Sequence, residues 1–339
     1  MRQPVGRGVG TAYAAKTGGT ILGALLGGVL LLPALGVQTS LLLAAGLYVA
    51  VGAGFWLMRP EQLKGALRYG AAIAALLLFG LTAWLVPPWD RALMTSGVFV
   101  NAPRLAARQP GQTLRERAHE RRLLYYAEGM DGVVSVTDTG EQRLLVINGK
   151  ADASSKRDLP TQVLLGQLPI LMHPDPQEVL VIGLGSGITV GSAAVHGSIG
   201  RIDVLEISPE VVAASRFFAA EHGDVLSDSR VNLIVADARN FLLSETQTYS
   251  VITSEPSNPW ISGVSNLFTR DFFKLARSRL APKGVMAQWL QTYSMSVEDV
   301  KTVLHTFQTI FPHVSVWVPM RGDLILIGTN EPQALDSAR

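Results

Sequence analysis

Glycines and acidic side chains follow the ends of four apolar runs in the second half of this 339-residue chain. A carboxylate offers two acceptor oxygens, which suits it to bind ribose hydroxyls or to act as a general base. A glycine turn lets backbone N–H groups approach a ligand closely. Together these groups predict a nucleoside site, and they are Gly183–Gly187, Glu206, Asp237 with Ala238, and Glu255.

The glycine turn follows the apolar run Val179–Ile182 and precedes small residues suited to a helix. This context is typical of a buried parallel strand that breaks into a nucleotide-binding turn, with Gly183, Gly185, Ser186 and Gly187 as candidate cofactor-binding residues. The third glycine comes one position too early for the Gly-x-Gly-x-x-Gly pattern of dinucleotide enzymes. An NAD-dependent reductase is therefore the least favoured enzyme class.

Each acid at a strand end has a binding interpretation and a plainer alternative. Glu206 would accept hydrogen bonds from ribose hydroxyls, and Asp237 with the backbone of Ala238 would bind an adenine edge. Both acids could instead be helix N-terminal charges that the helix dipole favours. Glu255 is the candidate catalytic proton acceptor, with a helix cap or an ion pair as its alternative, and Trp260 could be an ordinary core aromatic.

Strand-like and helix-like segments alternate from residue 179 onward. Strands are predicted at 179–182, 202–206, 231–235, 249–253 and 284–289, with helices near 188–196, 209–221, 238–243, 267–280 and 297–310. The alternation predicts an α/β, Rossmann-like doubly wound sheet of class I methyltransferase type. Residues 314–319 and 323–328 have no helix between them, so they are expected to pair antiparallel at one edge. A hairpin at 132–149 predicts a small β-domain before this sheet, and apolar spacing predicts a helix over 159–171.

Three uncharged apolar runs lie near the start of the chain, at 18–36, 39–58 and 70–86. Each is about as long as the roughly 20 residues that cross a bilayer, so three transmembrane helices are expected. Small residues recur every four positions in the first two runs, which favours a packed bundle. Basic residues before the first run and between the second and third place the amino terminus in the cytoplasm, whereas basic residues after the third run oppose that orientation. The side of the membrane that holds the second half of the chain stays open.

These features divide the chain into a transmembrane region (1–88), a basic juxtamembrane linker (89–124), a β-hairpin domain (125–158), a Rossmann-like domain (159–330) and a tail (331–339). The net charge of +2 and the lack of a nucleic-acid motif predict no nucleic-acid partner. The chain has no cysteine and its six histidines lack ligand spacing, so no metal site is expected.

The order of the motifs resembles the polyamine aminopropyltransferases, the spermidine synthase family, and more closely its membrane-fused branch. The matching segments are the hairpin, Asp158–Gln162, Gly183–Gly187, Glu206–Pro209, Ala236–Ala238 and Ser254–Pro259. The resemblance implies decarboxylated S-adenosylmethionine as co-substrate, Glu206 at the ribose, Asp237 at the adenine and Glu255 in the position of the family's catalytic acid. The candidate substrate-binding side chains are Asp158, Gln162, Ser254, Asn258, Trp260 and Gln288.

Three segments depart from the soluble members of that family. Ser186 replaces an acid that would hold the aminopropyl ammonium, Thr161-Gln162 stand where a Tyr-His pair is expected, and Asn258-Pro259 replace Asp-Pro. Buried cations need carboxylate partners, so these losses weaken the case for putrescine as the acceptor.

The expected function is aminopropyl transfer to a small-molecule amine by a multi-pass protein of the bacterial inner membrane. A methyltransferase that uses S-adenosylmethionine is the first alternative, because losing an acid at Ser186 removes a charge that repels the methionine carboxylate. A membrane subunit with a relic nucleoside-binding domain is the second. The lipid bilayer is an expected partner, and a homo-oligomer or partner transmembrane helices are further candidates.

Overall fold

The computed structural model describes residues 5–58, 65–98, 100, 102 and 111–332. The chain divides into two compact units. The first consists of Met1–Met94 with Glu128–Gly132, and the second of Thr95–Ala127 with Val133–Arg339. Arg104 and Arg108, which belong to the predicted basic linker, lie outside the described residues, as does most of the predicted tail.

Long apolar helices form the first unit. They are α1 (Val5–Leu25), which continues into a π-helical segment (Leu26–Leu31), α2 (Leu32–Met58), α3 (Ala66–Leu85) and the short α4 (Arg91–Met94). Among the described residues, two helical stretches are long and apolar enough to cross a bilayer, Gly8–Met58 and Ala66–Leu85.

Gly36 interrupts the first of these stretches. Its backbone, at φ 76° and ψ 171°, is not helical, and glycine reaches a positive φ at little steric cost. The interruption falls at the junction that the sequence predicts between the first two apolar runs. By length and composition the structure has two candidate spans, and the expected three spans remain a prediction.

Helices α2 and α3 pack against each other. The ring of Phe79 lies 2.8 Å from the point where a Cβ on Gly46 would project, and small residues allow such close approach of helices. The predicted small-residue stripe on the first run has a different environment. At Gly19, Gly23 and Gly27 a Cβ would meet nothing within 4 Å among the described residues.

A small sheet lies in the second unit after α5 (Leu114–His119). Its strands are β1 (Arg122–Glu128), β2 (Val133–Asp138), β3 (Arg143–Ile147) and β4 (Lys150–Ser154), in the order β1-β2-β3-β4. The predicted hairpin corresponds to β2 and β3, which pair antiparallel. Its apolar side chains Val134, Val136 and Leu145 form one core with Val211 and Phe218.

The larger sheet has seven strands, which are β5 (Glu178–Ile182), β6 (Arg201–Glu206), β7 (Val231–Val235), β8 (Tyr249–Ser254), β9 (Leu280–Gln291), β10 (His313–Trp317) and β11 (Asp323–Thr329). Their order is β10-β11-β9-β8-β5-β6-β7. The pairs from β9 to β7 are parallel, and β11 runs antiparallel to both of its neighbours. The predicted doubly wound sheet and its antiparallel edge are confirmed.

Helices cover both faces of this sheet. They are α6 (Leu159–Met172), α7 (Ile188–Ala194), α8 (Pro209–Ser215), α9 (Ala219–His222), α10 (Ala238–Ser244), α11 (Arg270–Ser278) and α12 (Val297–Gln308). The single helix predicted at 209–221 is split by a 3-10 turn at Arg216–Phe218. The helix predicted from 267 begins at Arg270, because the Thr269 hydroxyl caps it by accepting from the backbone N–H of Phe272 at 3.3 Å.

The apolar run of β5 explains the two cores. Successive side chains of a strand point to opposite faces, so Val179 and Val181 enter one core while Leu180 and Ile182 enter the other. With both faces covered, polar side chains are left at the carboxyl ends of the parallel strands, where ligands of such sheets bind.

Candidate active site

Three glycines with positive φ form the turn after β5. The φ angles are 92° at Gly183, 53° at Gly185 and 85° at Gly187, a region that favours glycine. A Cβ on Gly183 would lie 2.6 Å from the backbone oxygen of Glu255. The predicted cofactor turn and the predicted proton acceptor are therefore in backbone contact.

Glu206 ends β6, and its carboxylate holds the glycine turn. Oε2 accepts from the backbone N–H of Leu184 at 3.0 Å, and Oε1 accepts from the N–H of Ser208 at 3.0 Å. Burial raises the pKa of Glu206, and the backbone donors around it oppose that rise. The backbone N–H groups of Gly185 and Ile207 also act on this carboxylate, and its binding to a ribose stays a prediction.

Asp237 and Ala238 lie at the start of α10. Asp237 is the N-cap, and its Oδ1 accepts from the backbone N–H of Asn240 at 2.8 Å. One carboxylate oxygen thus has the helix-terminal role that the sequence offered as the plainer alternative. Ala238 is buried and Asp237 is exposed, and their contact with adenine stays a prediction.

Ser186 and Gln162 have internal partners. The Ser186 hydroxyl donates to Oε1 of Gln162, and Nε2 of Gln162 donates to the backbone oxygen of Ser154 at 3.1 Å. Both side chains are buried. They join the glycine turn to α6 and β4, so each has a structural task beside the binding role predicted for it.

Glu255 follows β8 and lies next to α7. Its backbone N–H donates to the oxygen of Ile182 at 2.8 Å, and its Oε2 accepts from the Thr189 hydroxyl at 2.5 Å. Burial raises the pKa of Glu255 to about 7, while the bond from Thr189 lowers it. A carboxyl poised near neutrality can both take up and release a proton under physiological conditions.

Two more carboxyls act on Glu255 through their charge. Asp158 precedes α6 and Asp323 begins β11, and both raise the pKa of Glu255. Asp323 is buried, and its Oδ2 accepts from the Thr161 hydroxyl at 2.7 Å. Burial also raises the pKa of Asp323. Three acids that influence one another in this way form an anionic site that favours a cationic ligand.

Buried polar atoms line the carboxyl ends of β8 and β9. Ser254 and Gln288 lie opposite each other in the parallel register. Ser254 Oγ, Gln288 Oε1 and Gln291 Oε1 have no hydrogen-bond partner among the residues that the structure describes. Because an unpaired buried polar atom is costly, such a group is typical of a site that a ligand completes.

Asn258 and Trp260 differ in their surroundings. Asn258 is fully buried and lowers the pKa of Tyr293 by hydrogen bonding to it. Trp260 is 39% exposed, so it is not the core aromatic that the sequence allowed as an alternative.

Among residues 5–58, 65–98, 100, 102 and 111–332, no group of three acidic or histidine side chains could hold a metal ion.

Sequence reasoning missed Thr189, Tyr293 and Asp323. Burial raises the pKa of Tyr293 to about 12, and the acids Asp152, Asp323 and Asp158 add to that rise. Asp323 reaches the site only because β11 pairs with β9 in a register that sets it opposite Gln291. No local pattern marked this acid, because its place in the site depends on the pairing of β11 with β9.

The fold and the site define an α/β domain of class I methyltransferase type, with a glycine turn and buried carboxyls at the carboxyl edge of its sheet. Residues 159–321 match the sequence family described as the spermine/spermidine synthase domain. The chain is thus similar to the spermine/spermidine synthase family over this part of its length.

Known relatives are similar to this chain in sequence, and solved structures share its fold. A spermidine synthase of Dictyostelium discoideum is 25% identical over 171 residues, which cover 50% of this chain and 60% of the relative. Polyamine aminopropyltransferase 2 of Pseudomonas aeruginosa is 29% identical over 198 residues, 57% of each chain. A crystal structure of spermidine synthase in complex with the transition state analogue AdoDATO shares the fold, with a TM-score of 0.58 at 18% identity over 63% of this chain and 75% of the other. Spermidine synthase from Thermotoga maritima shares it with a TM-score of 0.56, at 18% identity over 63% of this chain and 74% of the other.

The match covers only part of each protein. The chain spans 60% of the Dictyostelium relative and 57% of the Pseudomonas relative. The match to the family begins at residue 159, so the apolar helices and all four strands of the small sheet lie before it.

Proposed function

We propose that the chain is a membrane-anchored aminopropyltransferase, which transfers an aminopropyl group from decarboxylated S-adenosylmethionine to a small-molecule amine. The observation that carries this proposal is the carboxyl of Glu255, whose pKa is raised to about 7 and whose backbone touches the glycine turn. The family domain at 159–321 supports it, since that domain contains both elements.

The reaction joins the acceptor nitrogen to the methylene carbon beside the sulfonium and breaks the bond between that carbon and sulfur. The bonding electron pair stays with sulfur, so methylthioadenosine leaves as a neutral thioether. The attacking nitrogen must be unprotonated, and the proton that it sheds passes to Glu255. A carboxylate with a pKa near 7 suits this transfer at neutral pH.

Asp158 and Asp323 would supply the negative charge that a cationic amine needs on leaving water. They offset the missing acid at Ser186. That missing acid is one of the sequence features that weaken the case for a polyamine substrate. Their charges also oppose a donor that keeps its carboxylate. Both effects support the decarboxylated donor.

The other predicted site residues can be assigned to parts of the donor and of the amine. The glycine turn and Glu206 would hold the ribose side of the donor, and Asp237 with Ala238 its adenine. Ser254, Asn258, Gln288 and Trp260 would orient the amine. Their support is the pair of unpartnered atoms, Ser254 Oγ and Gln288 Oε1, which a polar ligand would satisfy.

A methyltransferase is the second candidate, and Ser186 is the observation that favours it. Its hydroxyl is committed to Gln162 and carries no charge, so that position does not repel the carboxylate of S-adenosylmethionine. The released nucleoside separates the two candidates, because methyl transfer yields S-adenosylhomocysteine and aminopropyl transfer yields methylthioadenosine.

We also propose that residues 1–88 anchor the chain in a bilayer through three crossings, as a multi-pass protein of the bacterial inner membrane. Gln38 supports this count. Its Nε2 donates to the backbone oxygen of Pro87, and its Oε1 accepts from the backbone N–H of Trp89, both at 2.8 Å. The residues after α3 thus lie beside the Gly36 junction, as expected when a second and a third span form a hairpin.

Turnover of the purified chain in detergent tests the function. Decarboxylated and ordinary S-adenosylmethionine are each incubated with a panel of mono-, di- and triamines, and the nucleoside product is identified by mass. Methylthioadenosine formed only with the decarboxylated donor and an amine supports aminopropyl transfer. S-adenosylhomocysteine supports the methyltransferase, and donor binding without product supports a relic module.

A further inference from the structure

Asp152 is the extra residue of a β-bulge in the small sheet. In the pairing of β3 with β4, Leu145 lies opposite Ala153 and Val146 lies opposite Ala151, so no residue of β3 faces Asp152. A bulge re-aims the side chain that it carries, and bulges are frequent beside active sites.

The carboxylate of Asp152 joins β4 to the loop after β8. Its Oδ1 accepts from Nζ of Lys150 at 2.6 Å and from the hydroxyl of Ser257. The Lys150 side chain is only 7% exposed and that of Asp152 11% exposed, so the ion pair is well shielded from water. Charge-assisted bonds of this kind are shorter and stronger than neutral ones. We call these three side chains the Lys150–Asp152–Ser257 bridge.

The bridge attaches close to Glu255. Ser257 follows Glu255 by two positions and directly precedes the buried Asn258. On its β8 side, Glu255 is fixed by the bond from its backbone N–H to Ile182. The bridge fixes the other side of the same loop, from a strand that lies outside the larger sheet.

We propose that Asp152 is a positioning residue, which acts through Ser257 to hold the loop 255–260 so that the Glu255 carboxyl faces the attacking nitrogen. This inference rests on the proposed function, in which Glu255 accepts the proton. A displacement of about 1 Å at a reacting group costs about 100-fold in rate, so a loop anchored only at its β8 end loses much of its catalysis. Lys150 serves the same task by neutralising the buried charge of Asp152.

Hydrogen exchange and kinetics on the whole chain in detergent test the bridge. The variants are Ser257→Ala, which removes one bond, Asp152→Asn, and Lys150→Met with Asp152→Asn, which removes both charges together. Amide exchange in peptides covering 255–263 is expected to rise about tenfold in each. With the turnover assay, kcat is expected to fall about 10- to 100-fold while KM for the donor changes less than about threefold. Ser257→Thr keeps the hydroxyl and is expected to restore both readouts.

Glu221→Gln is the matched control. Glu221 pairs with Arg143 and also ties the small sheet to a helix of the larger domain, but its ion-pair partner is not part of the loop 255–260. It is expected to lower thermal stability without changing exchange at 255–263 or kcat. Unchanged exchange and kcat in Ser257→Ala would overturn the proposal, and so would an equal loss in Glu221→Gln. If the wild type turns over no amine, the exchange experiment still decides whether the bridge holds the loop, and only the proposed function fails.

Discussion

Replacing Glu255 by glutamine should lower activity and raise stability at alkaline pH. Glutamine keeps the shape of the side chain and can accept from the Thr189 hydroxyl, but it cannot take up a proton. Loss of a general base costs about 10²- to 10⁴-fold in kcat/KM. In the wild type, kcat/KM should fall about tenfold per pH unit below about 7, where the carboxyl is protonated, and the variant should lack this inflection.

The stability effect follows from the same carboxyl. Its pKa rises from 4.5 to about 7 on folding, so the folded chain binds more protons than the unfolded chain between these values. Stability therefore falls as the pH rises from 4.5 through 7. At about 1.36 kcal/mol per pKa unit, the ionised form costs about 3 kcal/mol above pH 8. Because glutamine carries no charge, the variant avoids that cost.

Thermal unfolding of both proteins in detergent, from pH 5 to pH 8.5, measures this difference. The two melting temperatures should be close at pH 5, and the variant should melt about 6 to 12 °C higher at pH 8.5, given about 2 to 4 °C per kcal/mol for a domain of this size. Glu245→Gln, which removes an exposed carboxylate, serves as the control. A variant that follows the wild type at every pH, or melts lower at pH 8.5, would refute the reasoning about the buried charge.

Substitutions at three other positions test the site. Gly183→Ala should destabilise the chain by more than about 2 kcal/mol and abolish donor binding. The reason is that φ is 92° at this position and a Cβ would lie 2.6 Å from the backbone oxygen of Glu255. Donor binding at wild-type affinity, measured by calorimetry, would contradict this prediction. Asp323→Asn keeps the acceptor for Thr161 but removes a charge, so KM for the amine should rise about tenfold, as for one charge-assisted hydrogen bond, with the donor KM unchanged. Asp237→Ala should cost about 1 kcal/mol through loss of the helix cap. Asp237→Ser should keep the cap and weaken only nucleoside binding, and wild-type donor affinity in this variant would leave the cap as the only role of this acid.

Much of the fold could be predicted from local patterns. The apolar run Val179–Ile182, buried on both faces, reads as a central parallel strand, and the glycines after it must form a turn with positive φ. Glu206 and Glu255 then lie at strand ends whatever the details of packing. This is why the carboxyl edge of the sheet could be located without coordinates.

What could not be predicted depends on long-range register. Asp323 enters the site through antiparallel pairing of β11 with β9, and Asp152 enters it through one skipped residue in the β3–β4 ladder. A shift of one residue in either pairing would turn these carboxyls to another face. No pattern in the neighbouring residues fixes such a register, so both acids became visible only in the folded chain.

The contact between Gly183 and the Glu255 backbone also limits how such a protein can change. This main-chain contact sets the spacing between the donor turn and the proton acceptor. A side chain at Gly183 would clash with the backbone of Glu255, so substitution cannot adjust that spacing. Changes in substrate preference among descendants of this chain should therefore arise at residues around this contact, such as Asp158, Ser186 and Asp323. The contact itself should stay unchanged. Laboratory selection for new acceptor amines would do best to randomise those surrounding positions and leave the glycine alone.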